Sequence, residues 1–443
     1  MKTQVFSRLA LLTVLLLASA GLVPISAQTP PPTVVPEWHQ YLFNLSMNGG
    51  VVADWHPEPW PTVPIVGIRL WNTGTRWLDL NPANGVYDWT QLDKWLALAG
   101  QHGNNVLYTF ADVPQWASSN PTDKICLQVA GSCDAPNDVN PDGSGSDQHW
   151  KDFVTALVQH SANSTTAHIN HWEMWNEPHN NFYWNGTDAQ LVRMVGDAYA
   201  IIKANDPHAL VLSPSVGWQS GKPMKWFTGY MAAGGGKYID RIACHGYAKN
   251  GSQYGPPENV AKFLVPFQAS LKALGLEAVP IWDTEANWGN NLVTDQDMQA
   301  AWVARFVIFH ATNHIRRLFW FIWNGGSQGG MWQLDPHDHS LPGTLLKAGI
   351  AYGQLSDWLV GADTSACQQS GTIWSCALSR EGGYEGLMVW DTAQTCQHGQ
   401  CSTSEYQFQG NYVNYRTINN SQQIQISGST VPIGAKPILL QNQ

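Results

Sequence analysis

The sequence predicts an α/β chain in which a (β/α)8 TIM barrel is followed by a β-sandwich. Two observations carry this. Between about residues 37 and 358, short apolar runs alternate with helical patterns, the mark of repeated βα units on a parallel sheet. From about Gly361 to Gln443 the pattern changes to short strands with turn signals, almost no helical periodicity and four of the seven cysteines. The barrel is therefore assigned to residues 37–360 and the sandwich to 361–443. A length of 443 residues suits a barrel plus one smaller module.

Eight runs qualify as barrel strands: Tyr41–Leu45, Pro64–Trp71, Asn105–Phe110, Ile169–Trp175, Leu210–Pro214, Arg241–Tyr247, Val279–Thr284 and Arg317–Trp323. Helices are expected at Thr90–Gly100, His149–His160, Asp188–Ala204, Val260–Leu274, Asp295–Thr312 and Gly343–Leu359, with Gly100 and Pro207 as stops. In the tail, Gly371–Leu378, Gly386–Trp390, Ile424–Ile426 and Ile433–Leu440 read as strands. No array of surface aromatics is evident among them, which favours a structural role over a carbohydrate-binding one.

Ahead of the barrel, Lys2 and Arg8 precede the apolar run Leu9–Ala18, followed by small-residue cleavage sites up to Ala27. This predicts a signal peptide over residues 1–27 and a Pro-rich linker over 28–36. The run is too short for a comfortable membrane span, so a secreted protein with no membrane partner after cleavage is expected. Export suits the cysteines. Proximity pairs Cys126 with Cys133, Cys367 with Cys376 and Cys396 with Cys401, leaving Cys244 as a buried thiol inside a strand. No spacing resembles a zinc site, and neither metal nor cofactor is expected. Charged residues make up 13 % of the chain and the formal net charge is −10, which argues against nucleic acid as a partner. Nothing in the sequence bears on oligomeric state. The 23 tryptophans fit a large core, with some free to stack on sugar rings.

Barrels of this kind carry their chemistry at the carboxyl ends of the strands. Those ends hold Arg69, Asp112, Trp116, Asn176, Glu177, His245, Tyr247, Asp283, Glu285 and Trp323. Glu177 lies between an asparagine and a proline just past an aromatic run, where packing gives no reason for an acid. Glu285 ends the strand across the barrel. Two carboxylates on opposite walls of a cleft can cleave a glycosidic bond, with retention if about 5 Å apart and inversion if wider. The expected supporting roles follow. Arg69 and Tyr247 hydrogen-bond Glu285, Asn176 meets a sugar 2-hydroxyl, and Trp323 forms a floor. His245 joins the site or serves as a core histidine. Glu177 is expected in a less polar environment that keeps it protonated. Trp116, Trp184, Trp288 and Trp332 fall in loops at the same face and are candidates to extend a groove. Glu173 and Asp283 read as structural acids, Glu173 pointing into the barrel and Asp283 sharing the side of Glu285. Asp335, His337, Asp338 and His339 read as a solvated loop rather than a metal site.

With Trp172-Glu-Met-Trp-Asn-Glu-Pro178, His245-Gly-Tyr247, Glu285 and Trp323 in this order, the chain resembles the retaining glycoside hydrolases of clan A, most closely the β-xylosidase-like family 39. His179 and the context Trp282–Trp288 depart from the usual patterns. The resemblance implies Glu177 as acid/base and Glu285 as nucleophile, and a carbohydrate substrate of xylan- or glucan-like type. A transglycosylase would share every residue named. A non-catalytic carbohydrate-binding barrel would be expected to lack one of the two glutamates.

Overall fold

The computed structural model describes residues 42–53, 58–217, 221–251, 253–289, 293–325, 329–333 and 343–443. The expected signal segment and linker, Tyr41 and the Asp335–His339 loop lie outside the described residues.

The barrel staves are β1 (Phe43–Asn48), β2 (Gly67–Asn72), β3 (Asn105–Thr109), β4 (Ile169–Glu173), β5 (Leu210–Leu212, continued by Val216–Gly217), β6 (Ile242–His245), β7 (Ile281–Ala286) and β8 (Arg317–Trp320). All pair in parallel, and β8 returns to β1. The fifth stave is interrupted. Its first half pairs β4 and its second half pairs β6, while the Ser213 N–H bridges to the Arg241 carbonyl at 3.0 Å. Pro214 lacks an N–H and explains the break. The two ends of the sheet are thus halves of one stave, and the barrel closes.

Helices α1 (Thr90–His102), α2 (Gln148–Ala162), α3 (Asp188–Asn205), α4 (Gly221–Ala232), α5 (Ala261–Ala273), α6 (Gln296–Thr312) and α7 (Lys347–Leu359) cover the staves. α4 has no counterpart in the sequence expectations, because Gly221, Pro223 and Gly229 mask its period. Gly100 does not stop α1; it lies within the helix, where a Cβ would meet the Thr166 backbone at 2.8 Å, and Gly103 with φ 67° ends it instead. α3 starts on a capping box, Thr187 and Gln190 exchanging bonds of 3.1 and 2.9 Å. α6 is buried on nearly every face, which follows from cover on both sides. One side meets the barrel and the other meets α7 and the sandwich, where Phe309 packs edge-on to Trp374 and Trp390.

The sandwich is antiparallel. Ile373–Arg380, Tyr384–Asp391, Ile438–Gln441 and Asn414–Thr417 pair in that order, and Thr403–Gln407 pairs with Thr430–Gly434 beside them. Val389, Phe408, Val431, Ile433, Ile438 and Leu440 fill the space between. Glu258 ties it to the barrel, accepting two bonds from Arg305 and one from the Trp390 indole. The three expected disulfides are present and Cys244 is a buried thiol.

At the entrance of α2, Asp147 is fully buried with φ 49° and lies against the Asp197 carboxylate. Burial first, then a hydrogen bond shared with the Asp197 carboxylate and the charges of Asp197 and Asp138, push its pKa up to about 9. Its folded value exceeds the ordinary 3.8, so its stabilising contribution is full below that value and is lost as pH rises towards 9. Asp147→Asn keeps the shape and tolerates the left-handed backbone. It should raise Tm by roughly a few degrees at alkaline pH and leave it almost unchanged where Asp147 is already protonated. An equal shift at both pH values in a calorimetric scan would contradict this.

Candidate active site

The site is built around Arg69, which β2 places inside the barrel with no exposed surface. A guanidinium offers five donors in a fixed fork. Here Nε donates to Glu173 Oε2 at 2.7 Å, one terminal nitrogen to Glu285 Oε2 at 2.9 Å and the other to Asn176 Oδ1 at 2.8 Å. Glu173, the last residue of β4, also accepts from the Thr109 and Thr284 hydroxyls at 2.7 and 2.8 Å. Burial opposes its charge, but the Arg69 guanidinium and His245 outweigh burial and hold it well below the usual carboxylate range. It points into the barrel and is paired, as expected.

β4 ends at Glu173, two residues short of the expected strand end, and Glu177 sits on a strained turn beyond it. Trp175 has φ 127° and Glu177 φ 42°, positions costing on the order of 1–3 kcal/mol each. Surrounding contacts hold them. The Trp175 indole donates to the Tyr183 carbonyl at 2.9 Å and its ring packs against Trp150 and Trp184. The Ser215 N–H donates to the Trp175 carbonyl at 2.9 Å, and the Glu177 N–H donates to the Ser215 hydroxyl at 3.1 Å. Gly217 is required here, since a Cβ would meet Glu177 Oε1 at 2.6 Å.

The environment of Glu177 is polar, where the sequence led to the expectation of a less polar one. Its Oε1 shares a 2.8 Å hydrogen bond with His245 Nδ1, and Asn180 donates to Oε2 at 2.9 Å. Burial raises its pKa, but the hydrogen bond and charge of His245 outweigh burial and bring it down to about 2. His245 moves the other way, up to about 10. Burial opposes this, and the Glu285, Glu173 and Glu177 carboxylates prevail. Its Nε2 stands 3.7 Å from Glu173 Oε1, an ion-pair contact too long for a hydrogen bond. His245 therefore belongs to the site rather than to the apolar core.

Glu285 is aimed by a bulge. Strand alternation would put it on the side of Asp283, but the register of β7 against β8 shifts between Asp283 and Ala286. Asp283 accordingly faces the helix layer, where His310 Nε2 lies 2.7 Å from its carboxylate and the Gly246 N–H donates to it at 3.0 Å. Thr284 faces inward, and Glu285 turns over the mouth, where the Tyr247 hydroxyl donates to Oε1 at 2.8 Å. One carboxylate oxygen each of Glu177 and Glu285 and one His245 nitrogen all lie within 4.8 Å of one another. Arg69, Tyr247 and the Glu177–His245 bond engage these groups, which makes the cluster an ion-paired network and not an open cation cage.

The tryptophans are placed differently from expectation. Trp288 is fully buried against Trp320 and belongs to the core. Trp184 is buried against Trp175. Trp116 is half-buried, its indole donating to the Asn81 carbonyl and its ring set edge-on to His149 of α2. Trp323 is buried, donating to the Pro59 carbonyl at 3.1 Å and stacked with Trp332. Loop position alone did not separate groove-lining rings from core rings. Sequence reasoning also missed Asn180, Ser215, Gly217, Tyr183, Lys249 and Tyr254. None stands in a recognisable motif, and each reaches the site through a loop, a short hairpin or the interrupted fifth stave, whose path depends on the tertiary fold.

Residues 143–350 match the family model of the glycosyl hydrolase catalytic core. Among solved structures, the fold is similar to a family 39 glycoside hydrolase from Bacteroides cellulosilyticus (15 % identity, TM-score 0.61, covering 85 % of this chain and 75 % of that one). It is also similar to a monomeric β-xylosidase from Caulobacter crescentus (14 %, 0.59, 90 % and 96 %) and to a family 39 enzyme from Xanthomonas axonopodis pv. citri (13 %, 0.59, 91 % and 94 %). No curated protein matches the chain. Residues 143–350 thus resemble a glycoside hydrolase core, the fold is a barrel with a β-sandwich, and the resemblance read from the motifs is borne out.

Two outcomes follow from this geometry. Arg69→Met leaves Glu173 buried without its cation, at a cost of about 3–5 kcal/mol; urea unfolding should show it, and a loss below about 1 kcal/mol would contradict the network. For the Glu177–His245 pair, the Glu177 value lies below its ordinary 4.5 and the His245 value above its ordinary 6.5. The stabilisation is full between those ordinary values, fades as pH falls through about 2 and fades as it rises through about 10. In His245→Gln, the decline of Tm between pH 6.5 and 10 should flatten; an unchanged slope would count against the pairing.

Proposed function

We propose that the protein is a secreted retaining β-glycosidase acting on a xylan- or glucan-like chain, with Glu285 as nucleophile and Glu177 as acid and then base. The approach of their carboxylate oxygens to within 4.8 Å carries the reading, because retaining enzymes set the pair about 5–5.5 Å apart and inverting enzymes need room for a water. The β-xylosidase and family 39 enzymes of similar fold support the substrate class. Export is supported by the three disulfides.

The two carboxylates differ in a way that suits the two roles. Glu285 is held by a guanidinium and a phenol, which orient an oxygen for attack on the anomeric carbon. As that bond forms, the glycosidic bond breaks and the leaving oxygen needs a proton. The Glu177–His245 pair holds one, on a 2.8 Å bond. Moving it from Nδ1 to Oε1 yields a carboxylic acid and a neutral imidazole with no change in net charge, and Glu177 then protonates the leaving group. Esterification of Glu285 removes the charge that does most to raise the His245 pKa. Glu177, now ionised, takes a proton from the incoming water as the water oxygen bonds to the anomeric carbon and the ester bond to Glu285 breaks, freeing the Glu285 carboxylate and returning the carbon to its first configuration.

Glu285→Ala should lose measurable turnover on xylans, β-glucans and aryl glycosides, and azide should restore it with an inverted glycosyl azide product. Glu177→Ala should fall by about 10²–10⁴-fold on substrates with poor leaving groups and much less on activated aryl glycosides. Near-normal activity in either variant would refute the assignment.

A further inference from the structure

Lys249 lies beside this site and takes no part in the scheme above. It stands on a short hairpin after β6, Lys249–Asn250 paired with Gln253–Tyr254. The residue is largely buried, but its ammonium is not closed off from solvent, and among the described residues its close neighbours are aromatic rings rather than a carboxylate. Two aromatic faces hold it instead. Nζ lies 4.7 Å from the ring centre of Tyr254 and 5.7 Å from that of Tyr247, the tyrosine whose hydroxyl holds Glu285. Rings at this distance attract a cation but do not replace an anion.

The surrounding titratable groups leave that charge unmatched at close range. Glu177 is near enough to act on Lys249 electrostatically, but His245 and Asn180 already engage its oxygens. His179 is kept neutral, burial being the main cause that lowers it to about 4. Arg76, a cation further along the mouth, is already matched by Asp112 at 3.5 Å, Asn72 and the face of Trp71. A cation held on two aromatic faces beside the catalytic acids, with no carboxylate of its own and a side still open to solvent, is placed to receive an anion arriving from outside.

We infer that Lys249 is a substrate-selecting residue that receives an anionic substituent, a uronate carboxylate or a sulfate ester, on the sugar bound against Glu177. This rests on the glycosidase reading. It narrows the substrate to acidic polysaccharides or their fragments. An anionic group there would lie over Tyr247 and Tyr254 and complete a short-range ion pair in a partly water-excluded site, where such a pair is worth more than at the surface. If Lys249 instead served only to offset the charge of Glu177, its removal would weaken neutral and acidic ligands alike.

The test is binding, read without turnover, by tryptophan fluorescence titration of the full chain with glucuronate, glucose 6-sulfate and glucose. Glucuronate or the sulfate should bind at least about tenfold tighter than glucose, which is about 1.4 kcal/mol, and the preference should shrink with added salt. The anion that shows it identifies the substituent. Lys249→Met should bring the ratio to near one and Lys249→Arg should keep most of it, with near-UV circular dichroism reporting the fold of both. No preference in the wild type, or an equal preference in Lys249→Met, would overturn the inference. Failure of the glycosidase reading would show separately, as absent turnover on neutral and acidic oligosaccharides with binding intact.

Discussion

A guanidinium inside a barrel is an expensive object, and the site depends on how Arg69 is satisfied. Its three nitrogens reach Glu173 at the end of β4, Asn176 on the turn that follows and Glu285 near the end of β7. Each partner would be a liability without it. Glu173 would be a buried anion, and Glu285 would keep only its bond from Tyr247. Buried ion pairs of this kind contribute little net stability against an apolar core. What they impose is geometry, because a planar fork with fixed donors tolerates few arrangements of its acceptors. β2, β4 and β7 are therefore held in register at their carboxyl ends by one side chain.

From that point the candidate chemistry is a matter of placing two acids in unlike surroundings. A strained turn lifts Glu177 clear of β4, and Ser215 and Gly217 of the interrupted fifth stave support and admit it. A bulge turns Glu285 out of strand alternation and over the mouth. One carboxylate then faces a permanent cation and a phenol, the other an imidazole that can give or hold a proton. Beside these paired groups Lys249 stands apart, a cation held on two aromatic faces rather than against a carboxylate.

The sequence carried the barrel well, for physical reasons. Staves buried on both faces read as apolar runs, and the helices between them have a regular period, so the eight staves and most helices were legible within a few residues. The pairing of neighbouring cysteines was legible because short loops leave them few partners. Glu173, Glu177 and Glu285 could be singled out because an acid at a strand mouth has no packing explanation. Features set by tertiary context were not legible. α4 hides behind two glycines and a proline. The break at Pro214 and the bulge in β7 change which way side chains point without leaving a periodic trace. Trp288 and Trp184 sit in loops yet are buried, because loop membership says nothing about which side of the loop faces water. The polarity around Glu177 comes from His245, Asn180 and Ser215, residues up to 68 positions away in sequence.

The central claim is that Glu177 and Glu285 act together by double displacement, and the configuration of the first-formed product tests it most directly. Proton nuclear magnetic resonance of the anomeric signals in the first minutes of hydrolysis, before mutarotation, reports that configuration. The account predicts that a β-linked oligosaccharide releases the β-anomer first. First release of the α-anomer would mean single displacement by water, and the assignment of Glu285 as nucleophile would fall.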